Sequence, residues 1–197
     1  MKQKLDKLSY TPTTRTLRIT LIFSVFLYFL SYFTLVDQIK KSNAPTIVAH
    51  QLYFSGSKLK EDYKIILSKN GMEFFQNAQT IDYIYMMGYS LTLCVLCLFS
   101  ARAMKSLIQK RIGFLMAIFA LVGALFDCVE NAFILLSIQD PLGFPDWYAV
   151  GLSCFALIKW ILLIFCFLWL VVSSLFHLFN KIFQKKITKE KKNKKQN

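Results

Sequence analysis

Charged residues are scarce in this chain of 197 residues. Only 18% of the residues are charged, whereas 55% are hydrophobic and 16% are aromatic, and the mean hydropathy is +0.44. A chain of this length corresponds to a single domain, and its hydrophobic and aromatic content is too high for a soluble globular domain of this size. Several uncharged stretches are long enough to form the helix of about 20 residues that crosses a hydrocarbon core about 30 Å thick. The composition therefore excludes an ordinary soluble domain and predicts an integral membrane protein.

Cysteine is absent from the connections between these apolar stretches. The chain has five cysteines, and all of them lie within apolar stretches, at Cys94, Cys97, Cys128, Cys154 and Cys166. This placement excludes a disulfide framework of the secreted type. Cys94 and Cys97 have the spacing of a redox pair, but no connection supplies a cysteine that could relay electrons to them. We interpret them as residues that pack between helices.

The sequence also lacks the motifs of common catalytic and metal sites. It contains no Ser-His-Asp arrangement, no phosphate-binding Walker loop and no zinc-ligand spacing. Its two histidines, His50 and His177, are far apart in sequence and are predicted to lie on opposite sides of the membrane. We therefore expect no metal and no cofactor.

Basic residues are abundant, and their positions predict the orientation of the chain. Lysine and arginine number 24 against 11 acidic residues, for a net charge of +13. Most of them precede the first apolar stretch, lie between the second and the third, or follow the fourth. This pattern follows the positive-inside rule and places both termini on the cytoplasmic side of the cell membrane, here expected to be a bacterial inner membrane. No basic and aromatic module lies outside the membrane, so we expect no nucleic acid partner.

Four transmembrane helices in an antiparallel bundle are predicted, which makes the fold all-α. The predicted helices cover residues 19–36, 81–101, 112–138 and 149–179, within a membrane domain at 19–180. The first apolar stretch is too long and too rich in Phe and Tyr for a cleaved signal peptide. A cytoplasmic segment at 1–18 precedes the domain. The Lys-rich tail at 181–197 is expected to lose regular structure beyond its first turns and to contact anionic lipid headgroups.

The long connection at 37–80 is predicted to lie outside, and we expect one short amphipathic helix within it. Leu59, Tyr63, Ile66 and Leu67 recur at helical spacing, and Asn70-Gly71 is a stop signal. This helix would either lie on the membrane surface or cap the bundle.

Four ionisable residues interrupt the last three apolar stretches: Asp82, Asp127, Glu130 and Lys159. Such residues are costly in a transmembrane helix, usually face the bundle interior and often mark function. At a rise of about 1.5 Å per residue, all four lie roughly 22 to 28 Å from the cytoplasmic ends of their helices. Three helices therefore bring their charges to one level, near the outer interface.

Helical spacing adds two neutral side chains to this group. Tyr89 shares a helix face with Asp82, and Asn131 lies one turn from Asp127. The candidate ligand-binding residues are Asp82, Tyr89, Asp127, Glu130, Asn131 and Lys159. If all four charged groups are ionised, the set carries an excess of two negative charges. A retained proton, a bound cation or a cationic ligand would restore the balance. The set is interpreted as a structural cluster, a ligand or proton site, or a catalytic site.

Two helix segments resemble a known group of proteins. IDYIYMMGYSL and FDCVENAFILL are similar to the paired Asp and Asp-x-x-Glu-Asn signatures of an uncharacterised family of small bacterial four-helix membrane proteins. The segment APTIVAHQLYFSG is similar as well, and the resemblance covers roughly Ala44 to Leu136. Gln51 departs from the family pattern, which has an acid there. The resemblance implies the four-helix architecture and the same polar positions, but no activity.

Two classes of function are open at this point. The first is a non-enzymatic membrane protein whose polar cluster is structural or binds a solute or a lipid. The second is a membrane-embedded enzyme that uses Glu130 or Asp127 as a general acid-base on a lipid-like substrate. An enzyme needs a cavity that reaches the carboxylates. A structural cluster needs none. The lipid bilayer is the expected partner, and the small-molecule ligand is unknown.

Overall fold

Five α-helices and no strands make up the part of the chain that the structure describes. The computed structural model describes residues 11–45 and 50–193, with side chains as far as Lys181. The helices are α1 Thr14–Ser42, α2 Gly56–Ser68, α3 Met72–Ala103, α4 Leu107–Gln139 and α5 Trp147–Asn193. The prediction of an all-α fold is confirmed.

Four of these helices are long and apolar enough to cross a bilayer, namely α1, α3, α4 and the Trp147–Lys181 part of α5. The predicted architecture of four membrane helices is therefore confirmed. The short amphipathic helix expected in the first long connection is present as α2, so that part of the prediction is confirmed too.

The helices extend beyond the predicted boundaries. α3 begins at Met72 instead of 81, because nothing between Met72 and Thr80 stops a helix and hydrophobicity marks only the membrane-embedded part. α1 continues to Ser42 and ends where Asn43 adopts a left-handed conformation with φ 53°. α5 continues through the first part of the Lys-rich tail to Asn193, where we had expected irregular structure. Lysine is a good helix former, and no proline or glycine follows Lys181 to end the helix.

The order of packing follows the chain. α3 packs along α1 and α4, α4 packs along α5, and α1 has no comparable contact with α4 or α5. The connections α3–α4 and α4–α5 are short, which makes these neighbours antiparallel. The side chains that α1 buries are Leu17, Ser24, Ser31, Leu35 and Ser42. Leu17, Ser24 and Ser31 are seven residues apart, as are Leu35 and Ser42. Three of the five are serines, so α1 presents a narrow stripe of mostly small residues to α3.

The backbones of α1 and α3 come close together at Gly88. A Cβ atom at this position would lie 2.7 Å from the Tyr28 nitrogen. One turn further along α3, Thr92 Oγ1 donates a hydrogen bond of 3.0 Å to Ser24 Oγ. Glycine and small hydroxyl side chains therefore determine how closely α1 can approach the bundle.

α2 covers one end of the bundle, which we call the capped end. Leu59, Tyr63 and Ile66 on α2 are almost completely buried and pack against Phe75 on α3, Ile134 on α4 and Leu152 on α5. Tyr63 and Ser137 on α4 share a buried hydrogen bond of 2.6 Å. At the rim, Lys60 pairs with Asp146 at 2.8 Å. Of the two expected positions for the amphipathic helix, the structure thus shows the capping one.

The contact at Gly88 generates a prediction. Gly88→Ala should lower the melting temperature in detergent, because overpacking a tight contact typically costs about 1–3 kcal/mol. Gly123→Ala is the matched control, since a Cβ at Gly123 would lie 3.6 Å from the nearest atom, an ordinary contact distance. That change should be neutral or slightly stabilising, because alanine is the better helix former. Equal melting temperatures for the two variants would contradict the close approach of α1 and α3.

Candidate functional site

A buried lysine lies between two carboxylates inside the bundle. Lys159 Nζ on α5 lies 2.9 Å from Asp127 Oδ1 and 2.5 Å from Glu130 Oε2, both on α4. The exposed fractions are 4% for Lys159, 3% for Asp127 and 0% for Glu130. Charges this deeply buried require partners at short distance. We call these three residues the ion triad, and it ties α4 to α5.

Hydrogen bonds connect α3 to the same region. Tyr89 Oη donates to Asp127 Oδ2 at 2.6 Å, which occupies the second oxygen of that carboxylate. Asn131 Nδ2 donates to Asp82 Oδ2 at 2.5 Å. All six side chains that the sequence nominated are thereby brought together by three helices. Asp82 Oδ1 has no hydrogen-bond partner in the described part of the chain.

The segment at 50–54 closes the capped end above the ion triad. His50 is 4% exposed and its ring packs edge-on against Phe75. Burial, and to a smaller extent the positive charge of Lys159, lower the pKa of His50 to about 4, so the imidazole is neutral at neutral pH. Gln51 Oε1 accepts a hydrogen bond of 3.2 Å from Trp160 Nε1 on α5. Phe54 N donates to Ser153 Oγ at 3.0 Å.

A cavity of about 600 Å³ reaches this polar group from the side of the bundle. Its walls are mainly apolar or aromatic, with Asp82, Asp127 and Lys159 as the charged groups. The other lining residues are Tyr28, Tyr32, Leu35, Val36, Ile39, Gln51, Tyr85, Tyr89, Thr92, Leu93, Trp160 and Leu163. Glu130 and Asn131 do not line it. Both lie behind the residues that line the cavity. Glu130 pairs with Lys159, and Asn131 donates a hydrogen bond to Asp82.

The cavity opens between α1 and α5. Both helices line it, yet they do not pack substantially against each other. On the α1 side, Tyr28 and Tyr32 stand against Tyr85 of α3 at ring-centroid distances of 5.1 and 6.3 Å. Both helices are long and apolar enough to cross a bilayer, so the opening lies between two candidate membrane spans. A molecule dissolved in the bilayer could therefore reach Asp82 without crossing the capped end.

Sequence reasoning missed part of this site. His50 was considered only as a metal ligand, and Trp160 was not singled out. The signals available were weak: His50 precedes Gln51 in one of the resembling segments, and Trp160 follows Lys159. Among the described residues, no group of three or more His, Cys, Asp or Glu side chains could hold a metal ion.

The cysteines lie away from the cavity. Cys97 and Cys166 are fully buried and pack with Ala117 and Ala120 where α3, α4 and α5 meet. Cys166 Sγ donates to the backbone oxygen of Met116 at 3.1 Å. Neither Cys94 nor Cys97 lines the cavity. This environment is that of packing residues.

Comparison with models of known protein families, with curated protein sequences and with solved structures finds no significant match to this chain. The resemblance to small bacterial four-helix membrane proteins therefore stays a prediction.

The ion triad generates a prediction about stability. Lys159→Met should destabilise the protein in detergent by about 3–5 kcal/mol, because it strands two buried carboxylates. Adding Glu130→Gln or Asp127→Asn should restore part of that loss, since coupled residues are not additive. Lys60→Met is the matched control. Its partner Asp146 is exposed, and such a surface pair is worth at most about 1 kcal/mol. Additive effects in both double variants would mean that Lys159 is not energetically coupled to the two acids.

Proposed function

We propose that the protein binds a lipid-like amphiphile in the cavity between α1 and α5. The single observation that carries this proposal is an apolar cavity, open towards lipid, whose inner end holds Asp82, Asp127 and Lys159. Its volume of about 600 Å³ falls in the usual range for ligand pockets, roughly 300–1,000 Å³. The hydrocarbon chain would lie along the aromatic and aliphatic walls, and the polar head would meet the charged groups.

The charge of the site favours an ammonium group in the head of the ligand. Lys159 is the one basic side chain near the three carboxyl groups in the described part of the chain, and it is already paired with two of them. Asp82 Oδ1 is the available acceptor, at the inner end of a mainly apolar cavity. An ammonium group would donate a charge-assisted hydrogen bond to it. The nearby tyrosine rings would add cation–π attraction.

In this proposal the polar residues divide between a structural role and a ligand-binding role. Glu130 and Asn131 are buried behind the cavity wall, where they support Lys159 and Asp82. Asp82 lies at the wall itself and contacts the ligand in our proposal. An acid-base enzyme is less well supported by this geometry, because Glu130 does not line the cavity and both oxygens of Asp127 are occupied.

We further propose that the capped end faces outward from a cell membrane, as in a bacterial inner membrane. Arg15, Arg18, Arg102, Lys105 and Arg111 all lie at the opposite, uncapped end. The positive-inside rule assigns this end to the cytoplasm, together with both termini. The Lys-rich tail then lies beside the anionic cytoplasmic leaflet. In this orientation the cavity opens towards the outer leaflet.

The orientation is tested by cysteine labelling. A membrane-impermeant maleimide should label the Lys64→Cys variant in intact cells, because this position is on the exposed side of α2. Ser106→Cys, in the α3–α4 connection, should react only after the membrane is disrupted. The unaltered protein serves as the background control, because its cysteines lie within the membrane helices. The reverse labelling pattern would overturn the orientation.

Ligand binding is tested with brominated amphiphiles that quench tryptophan fluorescence, since Trp160 lines the cavity. A long-chain bromoalkylamine should quench more strongly than the alcohol of the same chain length. Asp82→Asn should weaken amine binding by about tenfold or more, equivalent to about 1.4 kcal/mol, and leave alcohol binding nearly unchanged. Asp37→Asn, the same change at an exposed carboxylate on α1, should affect neither ligand.

The outcomes separate the two parts of the proposal. Equal quenching by amine and alcohol, unaltered in Asp82→Asn, would contradict the ammonium head and leave the amphiphile site standing. No saturable quenching by either compound would contradict amphiphile binding itself.

A further inference from the structure

Two further cavities lie at the uncapped end, where α5 passes the end of α3 and the start of α4. One has a volume of about 570 Å³ and mainly apolar walls that include Leu96, Phe99, Leu170 and Leu178. The other has a volume of about 330 Å³ and is lined by Ala103, Met104, Lys105, Gln109, His177, Asn180 and Lys181. Four residues line both cavities, so the two cavities form one continuous groove with an apolar part and a polar part.

Two serines beneath the apolar part of the groove already have hydrogen-bond partners within the protein. Ser100 Oγ on α3 donates to Ser173 Oγ on α5 at 2.6 Å, and Ser173 in turn donates to the Leu170 carbonyl at 3.1 Å. These hydroxyl groups need no partner from outside. An alkyl chain could therefore lie over them without stranding a polar atom.

The polar part of the groove is basic. Lys105 and Lys181 are exposed at its rim, and no acidic side chain lines either cavity. None of the ion pairs formed within the described residues involves these two lysines. Gln109, His177 and Asn180 add side chains that can donate hydrogen bonds.

The position of the groove matches the depth of a lipid molecule. The apolar part lies between membrane-spanning segments of α3 and α5. The basic part lies at the end of α3 at Ala103 and where the uncharged stretch of α5 from Trp160 to Asn180 is followed by Lys181. A basic recess between transmembrane helices at this level is the type of site that holds an anionic lipid headgroup.

We propose that this groove binds one anionic phospholipid of the surrounding leaflet. An acyl chain lies in the apolar part, and the phosphate lies between Lys105 and Lys181, with Gln109, His177 and Asn180 as further donors. A free phosphate would use only the basic part and leave the apolar part empty, so the two-part lining of the groove favours a lipid over a free phosphate. This site does not depend on the proposed function, because it lies at the other end of the bundle and shares no lining residue with the first cavity.

The test is native mass spectrometry of the full-length protein in a neutral detergent with added phosphatidylglycerol or phosphatidylcholine of identical chains. The unaltered protein should retain a single phosphatidylglycerol in preference to phosphatidylcholine. The Lys105→Gln/Lys181→Gln variant should bind it about tenfold more weakly or worse, as expected for two basic residues near a membrane surface. Glycerol phosphate, which has the head but no chain, should not compete.

The matched control is Lys110→Gln/Arg111→Gln, which removes the same charge from the same end of the bundle but not from the groove. It should retain phosphatidylglycerol normally, with the tail beyond Lys181 unchanged in every variant. Equal weakening in both double variants would overturn the site in favour of diffuse attraction to the basic surface. The absence of a preference for phosphatidylglycerol in the unaltered protein would overturn it as well.

A variant that leaves all charges in place tests the apolar part separately. Ser174 is exposed and lines the groove, so Ser174→Phe should fill the path of the acyl chain and weaken retention with both lysines present. This variant decides the question if the double lysine variant does not fold. Unchanged retention in Ser174→Phe would overturn the placement of the chain, and competition by glycerol phosphate would show a phosphate site instead of a lipid site.

Discussion

The pairing of Lys159 with Asp127 and Glu130 is the constraint on which the remaining structure depends. An isolated charge at this depth in a bilayer is costly, and each of the three becomes acceptable only because the others lie at contact distance. The pairing determines the rotation of α4 and α5 about their axes and their relative height. Tyr89 then extends the same network to α3 through Asp127, so one charged contact aligns three of the four membrane helices.

The capped end completes this arrangement by covering it. α2 and the segment at 50–55 contribute Tyr63, His50 and Gln51, each of which contacts a membrane helix through a ring or a hydrogen bond. Because His50 is buried and neutral, it adds no further charge beside Lys159. These residues thus cover the polar cluster at the capped end, and the cavity between α1 and α5 reaches it from the side.

The sequence could predict the depth of the polar cluster but not the cavity beside it. Asp82, Asp127, Glu130 and Lys159 stand out because ionisable residues are rare in apolar stretches, and helical geometry converts their positions into a common level. Asp127 faces the cavity and Glu130 does not, because the two side chains point in modestly different directions around α4. A helical pattern does not resolve this difference. The polar residues of α1 at helical spacing, Ser24, Tyr28 and Ser31, indicate the side that faces the bundle, but a helical pattern does not reveal that α3 is the helix it packs against. The start of α3 at Met72 was not predicted, because hydrophobicity marks the part of a helix that lies in the bilayer and not the ends of the helix.

The one-sided attachment of α1 has a mechanical consequence. α1 packs substantially against α3 alone, and none of the residues in the ion triad belongs to it. A tilt of α1 away from α5 would widen the aperture without separating any buried charges. The buried charged contacts therefore lie within α3, α4 and α5, and α1 completes the cavity wall through uncharged contacts with α3.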